Sequence, residues 1–322
     1  MTRRQLFLMA ALQVLLCVPA LAQQFPNRAI RIVVGYSPGG GVDVSARAVG
    51  KKLSESLGQP VVVENRPGAS GNAAAGMVAK SPPDGYTLFM ASSIIAFPSL
   101  FPNIPFDINK DLAPISLVAM GPSVLVSHPS LPVNDIRQLV VFAKTRPKQI
   151  LYGSAGFGTV THLAMELLMS SANVEMTHVP YKGGVPSIIG LLSGEVHILF
   201  SSVPGVLTQI KANKVRALGL STLKRSSALP AVPTLHEAVL PGYNTGSWYG
   251  LLAPARVPKN ILDLLSAEVG KIMQGSDIRE GFVRGGFEPE GTTPENFAAF
   301  IRSEIVKYDA IIRKANIKPE SD

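Results

Sequence analysis

Two glycine-rich segments hold the residues whose types and spacing are best suited to chemistry. Gly35-Tyr36-Ser37-Pro38-Gly39-Gly40-Gly41 lies between a β-branched run at 29–34 and a helical pattern that starts at Val42. Gly153-Ser154-Ala155-Gly156-Phe157-Gly158-Thr159 repeats the arrangement mid-chain, after an apolar run at 150–152 and before a helical pattern near Thr161. Glycine lets a backbone turn tightly and approach a ligand closely. A helix N-terminus behind such a turn offers free N–H groups and a positive dipole end to an anion. A plain β–α turn would use the same glycines, so the residues alone leave both readings open.

Other chemistries fit these loops poorly. Gly35 to Gly39 matches the G-x-S-x-G nucleophile elbow, which needs an oxyanion N–H on the residue after the serine. That residue is Pro38, which has no N–H. The segment also follows the first strand, so no earlier strand exists to supply a second donor. The mid-chain glycines are spaced G-x-x-G-x-G rather than G-x-G-x-x-G, and Glu175 precedes the next strand instead of ending it, which speaks against a dinucleotide. His128, His162, His178, His197 and His236 show no metal-ligating pair, so neither a metal nor a cofactor is expected. His162 lies one turn before Glu166; a local helix-terminus hydrogen bond suits it better than proton transfer. Trp248 beside Tyr249 reads as core or interface before it reads as a ligand platform.

The elements that would position these loops alternate along the chain. Strands are expected at 29–34, 61–63, 86–90, 124–126, 150–152, 176–179, 197–200, 215–220 and 248–253. Between them, apolar spacing predicts helices at 42–57, 68–80, 133–146, 161–171, 186–193 and 206–213, with longer ones at 259–273 and 294–314. Such alternation argues for parallel α/β layers. Two series separated by the Pro-rich stretch 97–114 suggest two lobes, with the helical tail packing back on one of them.

The first residues address the chain for export. Arg3 and Arg4 precede an apolar stretch from Leu6 to Val18, and Ala20-Leu21-Ala22 supplies a small-x-small cleavage pattern. Cleavage near Ala22 would place the mature chain in the periplasm and remove Cys17, the single cysteine, so no disulfide is expected. The net charge is +8, of which Arg3 and Arg4 contribute two, and it is spread rather than clustered. No nucleic-acid partner is therefore expected. A mild positive field favours small anions, although a basic surface serves solubility equally well.

A series of further motifs resembles the substrate-binding proteins of tripartite tricarboxylate transporters, the Bug family. They are Tyr36-Ser-Pro-Gly-Gly40 with Asp43 and Arg47, Val63-Glu-Asn-Arg-Pro-Gly-Ala69 with Gly71-Asn72, and Pro83-Asp-Gly-Tyr86. Tyr152-Gly-Ser-Ala-Gly-Phe-Gly158 with His162-Leu163 and His178-Val-Pro-Tyr-Lys-Gly183 follow. Pro230-x-Val-Pro-Thr234 with Glu237, and Ser247-Trp-Tyr-Gly-Leu-Leu-Ala-Pro254, complete them. The resemblance implies an α/β, two-lobe periplasmic binding fold of the second type, with lobe one at 23–122 and 248–322 and lobe two at 123–247. It implies a non-enzymatic, monomeric receptor that closes on a small carboxylate. Tyr36, Ser37, Gly39, Gly40 and Gly41 would form one cleft wall, and Ser154, Ala155, Gly156, Gly158, Thr159 and His162 the other. Ser92, Ser93, Tyr181, Ser201 and Trp248 would line the cleft.

Inner-membrane transporter subunits are the implied partners, with a sensor-kinase ectodomain as the alternative and an exported hydrolase as a distant one. The chain departs from the family where an acid is frequent: none lies in Gly190-Leu-Leu-Ser-Gly194, and Ser201 follows the strand ending at Phe200. A solute without an essential cationic group is therefore expected.

Overall fold

The computed structural model describes residues 25–101 and 103–319, so the segment read as a signal peptide lies outside them. The chain opens with β1 (Ile30–Val34), α1 (Gly41–Leu57), β2 (Val61–Asn65), α2 (Asn72–Ala79) and β3 (Thr87–Ser92). A short α3 (Ile108–Asp111) leads into the long β4 (Leu112–Ser127), followed by α4 (Ile136–Lys144) and β5 (Leu151–Ser154). Then come α5 (Val160–Ala172), β6 (Thr177–Pro180), α6 (Gly184–Leu192), β7 (Ile198–Ser202), α7 (Val203–Lys211) and β8 (Arg216–Leu220). After α8 (Leu235–Ala238) and β9 (Gly246–Pro254), the chain closes with α9 (Lys259–Gln274), α10 (Ser276–Arg284), β10 (Glu288–Pro289) and α11 (Pro294–Lys314).

Local signals set many of these limits. Gly58 ends α1 in the left-handed region at φ 67°, where glycine carries no Cβ penalty, and returns its N–H to Ser54 O. Asp135 caps α4, Thr293 caps α11 ahead of Pro294, and Thr234 with Glu237 forms a capping box on α8. The sequence pattern did not reveal α10 or β10.

The strands form one sheet in the order β2-β1-β3-β9-β4-β7-β5-β6, with β10 and β8 also paired to β4. β2-β1-β3 and β7-β5-β6 are parallel, as βαβ alternation requires. β9 and β4 between them are antiparallel to their neighbours, so two crossing strands join the parallel α/β units on either side. β4 runs through both halves. Leu112 to Pro122 pair with β9, and Ser123 to Ser127 pair with β7 and β8. The Pro-rich stretch is thus partly strand; Pro114 is accommodated where the register shifts before Ser116.

One face of the sheet carries a core continuous across both halves. Val33, Phe89, Leu125, Tyr152, Phe200, Trp248, Phe297 and Tyr308 all belong to it. The opposite face is split. Ile32, Leu88, Met90 and Leu251 pack with side chains of α1, α9 and α10. Val124, Val126 and Leu199 pack with side chains of α6 and α7. Period-two alternation along each strand sends neighbours such as Leu88 and Phe89 to opposite cores. The helical tail does not pack on one half alone. Phe297 in α11 lies against Gly250, whereas Lys314 Nζ donates to Ser171 Oγ of α5 at 3.2 Å.

The two chain crossings are tied together by polar groups. Ser221 N–H donates to Ser123 O at 2.9 Å and Thr245 N–H to Ser221 O at 2.8 Å. Tyr308 Oη donates to Gly246 O at 2.9 Å, and Ser93 Oγ accepts Trp248 N–H at 2.9 Å.

Candidate functional site

The loop after β1 is held from its own helix. Gly39, at φ 89°, donates its N–H to Asp43 Oδ2 at 2.9 Å, four residues on in the first turn of α1. Asp43 is buried, and desolvation opposes its ionisation. Donors from Arg47, Gly39 and Asn65 outweigh that cost and hold its pKa below the ordinary carboxylate value. Arg47 contributes Nε at 3.0 Å and Nη2 at 2.9 Å; Asn65 Nδ2 donates both to Asp43 Oδ1 at 2.9 Å and to Tyr36 O at 3.0 Å. Tyr36 Oη donates to Ser70 O at 2.7 Å and accepts from Ser92 Oγ at 3.1 Å. The cap residue of α1, Gly40, supplies no side chain, and Ser37 and Gly39 are exposed. The first N–H groups of a 17-residue helix therefore open beside this loop. Gly41 abuts the Tyr249 hydroxyl, which leaves no room there for a side chain.

The loop after β5 uses the same geometry with different groups. Gly158, at φ 68°, donates its N–H to His162 Nδ1 at 3.2 Å, again four residues on and in the first turn of the helix. Ser154 Oγ accepts Gly156 N–H at 3.1 Å and pairs with His178 Nε2 at 2.7 Å. Thr159 Oγ1 donates to Gly156 O at 2.6 Å, and Thr161 Oγ1 accepts Ala155 N–H at 3.0 Å. Beneath the loop, His178 stacks on Tyr152 at 4.7 Å and on His162 at 4.4 Å. The Tyr152 hydroxyl donates to Glu166 Oε1, which lies 3.6 Å from His162 Nε2.

Burial, aided by His178, holds the His162 pKa down at about 3, and burial holds His178 at about 4. Burial pushes the Glu166 carboxyl up, against the lowering effect of Tyr152. Both imidazoles are thus neutral near pH 7.

This hydrogen bonding narrows which loop groups face a ligand. The N–H groups of Ala155, Gly156, Gly158 and Thr159 are already taken within the loop. The Thr159 side chain accepts no helix N–H as the cap of α5, and the first N–H accepted inside the helix is that of Leu163. The open donors therefore sit on Val160 to His162, one turn later than the glycines suggest.

The remaining expected residues divide. Ser92 reaches the first loop through Tyr36. Ser93 is fully buried and ties the crossing strand β9. Trp248 is fully buried against Phe297 and Phe300, edge to face, as a core residue. Tyr181 directs its hydroxyl against Gly190 of α6, and Ser201 Oγ donates to Ser202 O at 3.2 Å. His178, Tyr152 and Tyr249 were not singled out as site residues. Spacing gave no sign of them, because His178 and Tyr249 reach their loops from the remote strands β6 and β9, and Tyr152 of β5 stacks on His178 only across the β5–β6 pair.

Two surface cavities, of about 310 and 380 Å³, lie elsewhere: one between α1 and α10, the other around Lys148, Met169 and Glu175. Neither is lined by any residue of the two loops, so the paired helix N-termini carry the functional reading. Among the described residues no helix is long and apolar enough to cross a membrane, and no acid–His cluster could hold a metal.

Two α/β units on one sheet, joined by crossing strands and each presenting a helix N-terminus behind a glycine loop, define a two-lobed periplasmic binding-protein fold. Known proteins carry the identification further. The family model of the tripartite tricarboxylate transporter family receptor matches residues 45–317. BugT of Bordetella pertussis is 35% identical over 306 residues, covering 94% of each chain. Among solved structures, R. palustris Rpa4515 with adipate has a TM-score of 0.89 at 34% identity, covering 92% of this chain and all of its own. The periplasmic binding protein BugD gives 0.86 at 29% identity, covering 92% of this chain and all of its own. MatC (Rpa3494) from Rhodopseudomonas palustris with bound malate gives 0.82 at 30% identity, covering 89% of this chain and 100% of its own. The chain belongs to the tripartite tricarboxylate transporter receptor family, the Bug solute-binding proteins.

Proposed function

We propose that this protein is an exported receptor that captures a small organic carboxylate and delivers it to inner-membrane transporter subunits, without catalysis. Lobe one comprises 23–122 and 248–322, lobe two 123–247, and the lobes close on the solute as a hinge. Residues 36–41 form one wall of the cleft and residues 154–162 the other. The observation that carries this reading is the pair of helix N-termini, α1 and α5, that lack a side-chain cap behind glycine loops. The adipate and malate in the related structures support a dicarboxylate as the solute class. Ser201 and the acid-free segment at 190–194 support a solute with no essential amine.

Calorimetry on the mature protein with adipate, malate, citrate, benzoate and glutamate tests the reading. Saturable binding of a non-amino carboxylate with no chemical change to it is expected. Binding of glutamate alone would overturn the amine-free assignment, and conversion of a bound solute would overturn the receptor reading.

A further inference from the structure

The two loops share a latch that differs only in its acceptor. In each, a glycine at positive φ just before the helix cap donates its N–H to the side chain four residues on. In lobe one that side chain is Asp43, a carboxylate balanced by Arg47 and Asn65. In lobe two it is His162, 4% exposed and sandwiched between Phe157 and His178. A ring nitrogen that accepts an N–H carries no proton of its own, so the Gly158 bond sets the proton on Nε2, toward Glu166. Burial disfavours the imidazolium, which could not accept this bond at all. The carboxylate of this half is thereby kept one imidazole ring away from the loop.

We propose that His162 is a positioning residue for solute capture: its neutral Nδ1 latches Gly158, so the α5 N-terminus meets the solute carboxylate without an acid at the loop. The second half of this statement rests on the carboxylate reading above; the latch itself does not. His178 supports the same loop through Ser154 Oγ, which accepts the Gly156 N–H.

Three substitutions separate geometry from charge. His162→Asn places an amide oxygen near the position of Nδ1, whereas His162→Gln places its polar end near Nε2. His162→Asp reproduces the acceptor found in lobe one. Amide hydrogen exchange at Gly158 is expected to stay within about threefold of wild type in the Asn and Asp variants. In the Gln variant it should accelerate about tenfold or more, the equivalent of one lost hydrogen bond. Adipate and malate affinity by calorimetry should persist in Asn and fall about tenfold or more in both Gln and Asp, by lost geometry and added charge respectively.

Equal Gly158 exchange in wild type, Asn and Gln overturns the latch. An Asp variant that binds either dicarboxylate as tightly as wild type overturns the charge argument. Should the Asp variant not fold, the charge is tested instead by replacing Thr159, the cap residue of α5, with Asp; unchanged affinity there overturns it. Wild-type protein that binds no carboxylate defeats the proposed function, and the exchange comparison still decides the latch.

Discussion

The loop before α1 is held by charges at the edge of the fold, whereas the loop before α5 is held by a stack of rings beneath it. Asp43 is buried, but its partner Arg47 is half-exposed and joins it from solvent. His162, His178 and Tyr152 stack inward from α5, β6 and β5, with Ser154 and Glu166 at the edges. The same backbone task, fixing a glycine N–H before a helix, is met once by an ion pair and once by neutral rings. The difference teaches that helix-terminus geometry specifies where an acceptor must stand, while the surroundings decide whether it is charged. It also gives the two loops different weak points: loss of the charged acceptor for the first, protonation of the buried rings for the second.

The largest difference should appear in the pH dependence of stability. His162 and His178 take up protons near pH 6.5 when unfolded, but only near about 3 and about 4 when folded. The unfolded state thus binds more protons over that window, so stability falls as pH drops from 6.5 toward 3. Each pKa unit is worth about 1.4 kcal/mol, so the pair amounts to several kcal/mol. Glu166 acts in the opposite sense, because burial raises its pKa and favours the fold at pH below its unfolded value. Asp43 is lowered, so its contribution is kept until pH falls through its folded value, below 3.8. Urea titrations across pH 7 to 3 should show the decline, and a His162→Asn/His178→Asn protein should flatten it. A wild-type profile flat from 6.5 to 4 would break the contrast.

Asp43→Ala is the next largest. It leaves Gly39, Asn65 and Arg47 without their common acceptor and should cost about 3 kcal/mol, as for hydrogen bonds to a charged group. Chemical denaturation measures it; a loss under about 1 kcal/mol would mean that the ion pair does not hold its loop.

Glycine substitutions compare the two turns directly. Gly158→Ala meets both a left-handed φ and Phe101 Cζ at 2.7 Å, so about 2–3 kcal/mol is expected. Gly39→Ala faces the φ penalty alone, with open space around its Cβ, and should cost about 1 kcal/mol. The reverse order would show that the loop before α5 yields more easily than its packing suggests.

Ser37→Ala should be the mildest, within about 0.5 kcal/mol in stability, because Ser37 is exposed. Solute affinity should change less than about threefold if backbone groups carry the contact. A loss of turnover on this substitution would instead revive the hydrolase alternative.

Much of this was legible in the residues. Gly58, Asp135 and Thr234 with Glu237 mark helix ends by chemistry that acts within a few positions. The glycine loops announced two helix N-termini for the same reason. The local hydrogen bond expected of His162 is present, since Gly158 lies only four residues away. Trp248 proved to be core, the reading its residue type favours, because Phe297 and Phe300 come to it from the last helix.

The sequence by itself determined the βαβ alternation, the glycine turns, the family motifs and the positions of Asp43 and His162, because each depends on residues close in the chain. Only the tertiary structure decided how β4 and β9 knit the halves, that α11 spans both, and that His178 and Tyr152 stack beneath the second loop. Those arrangements depend on residues that are distant in sequence and share one side of a sheet. A strand's pattern shows that a side chain alternates, not which neighbour it will meet.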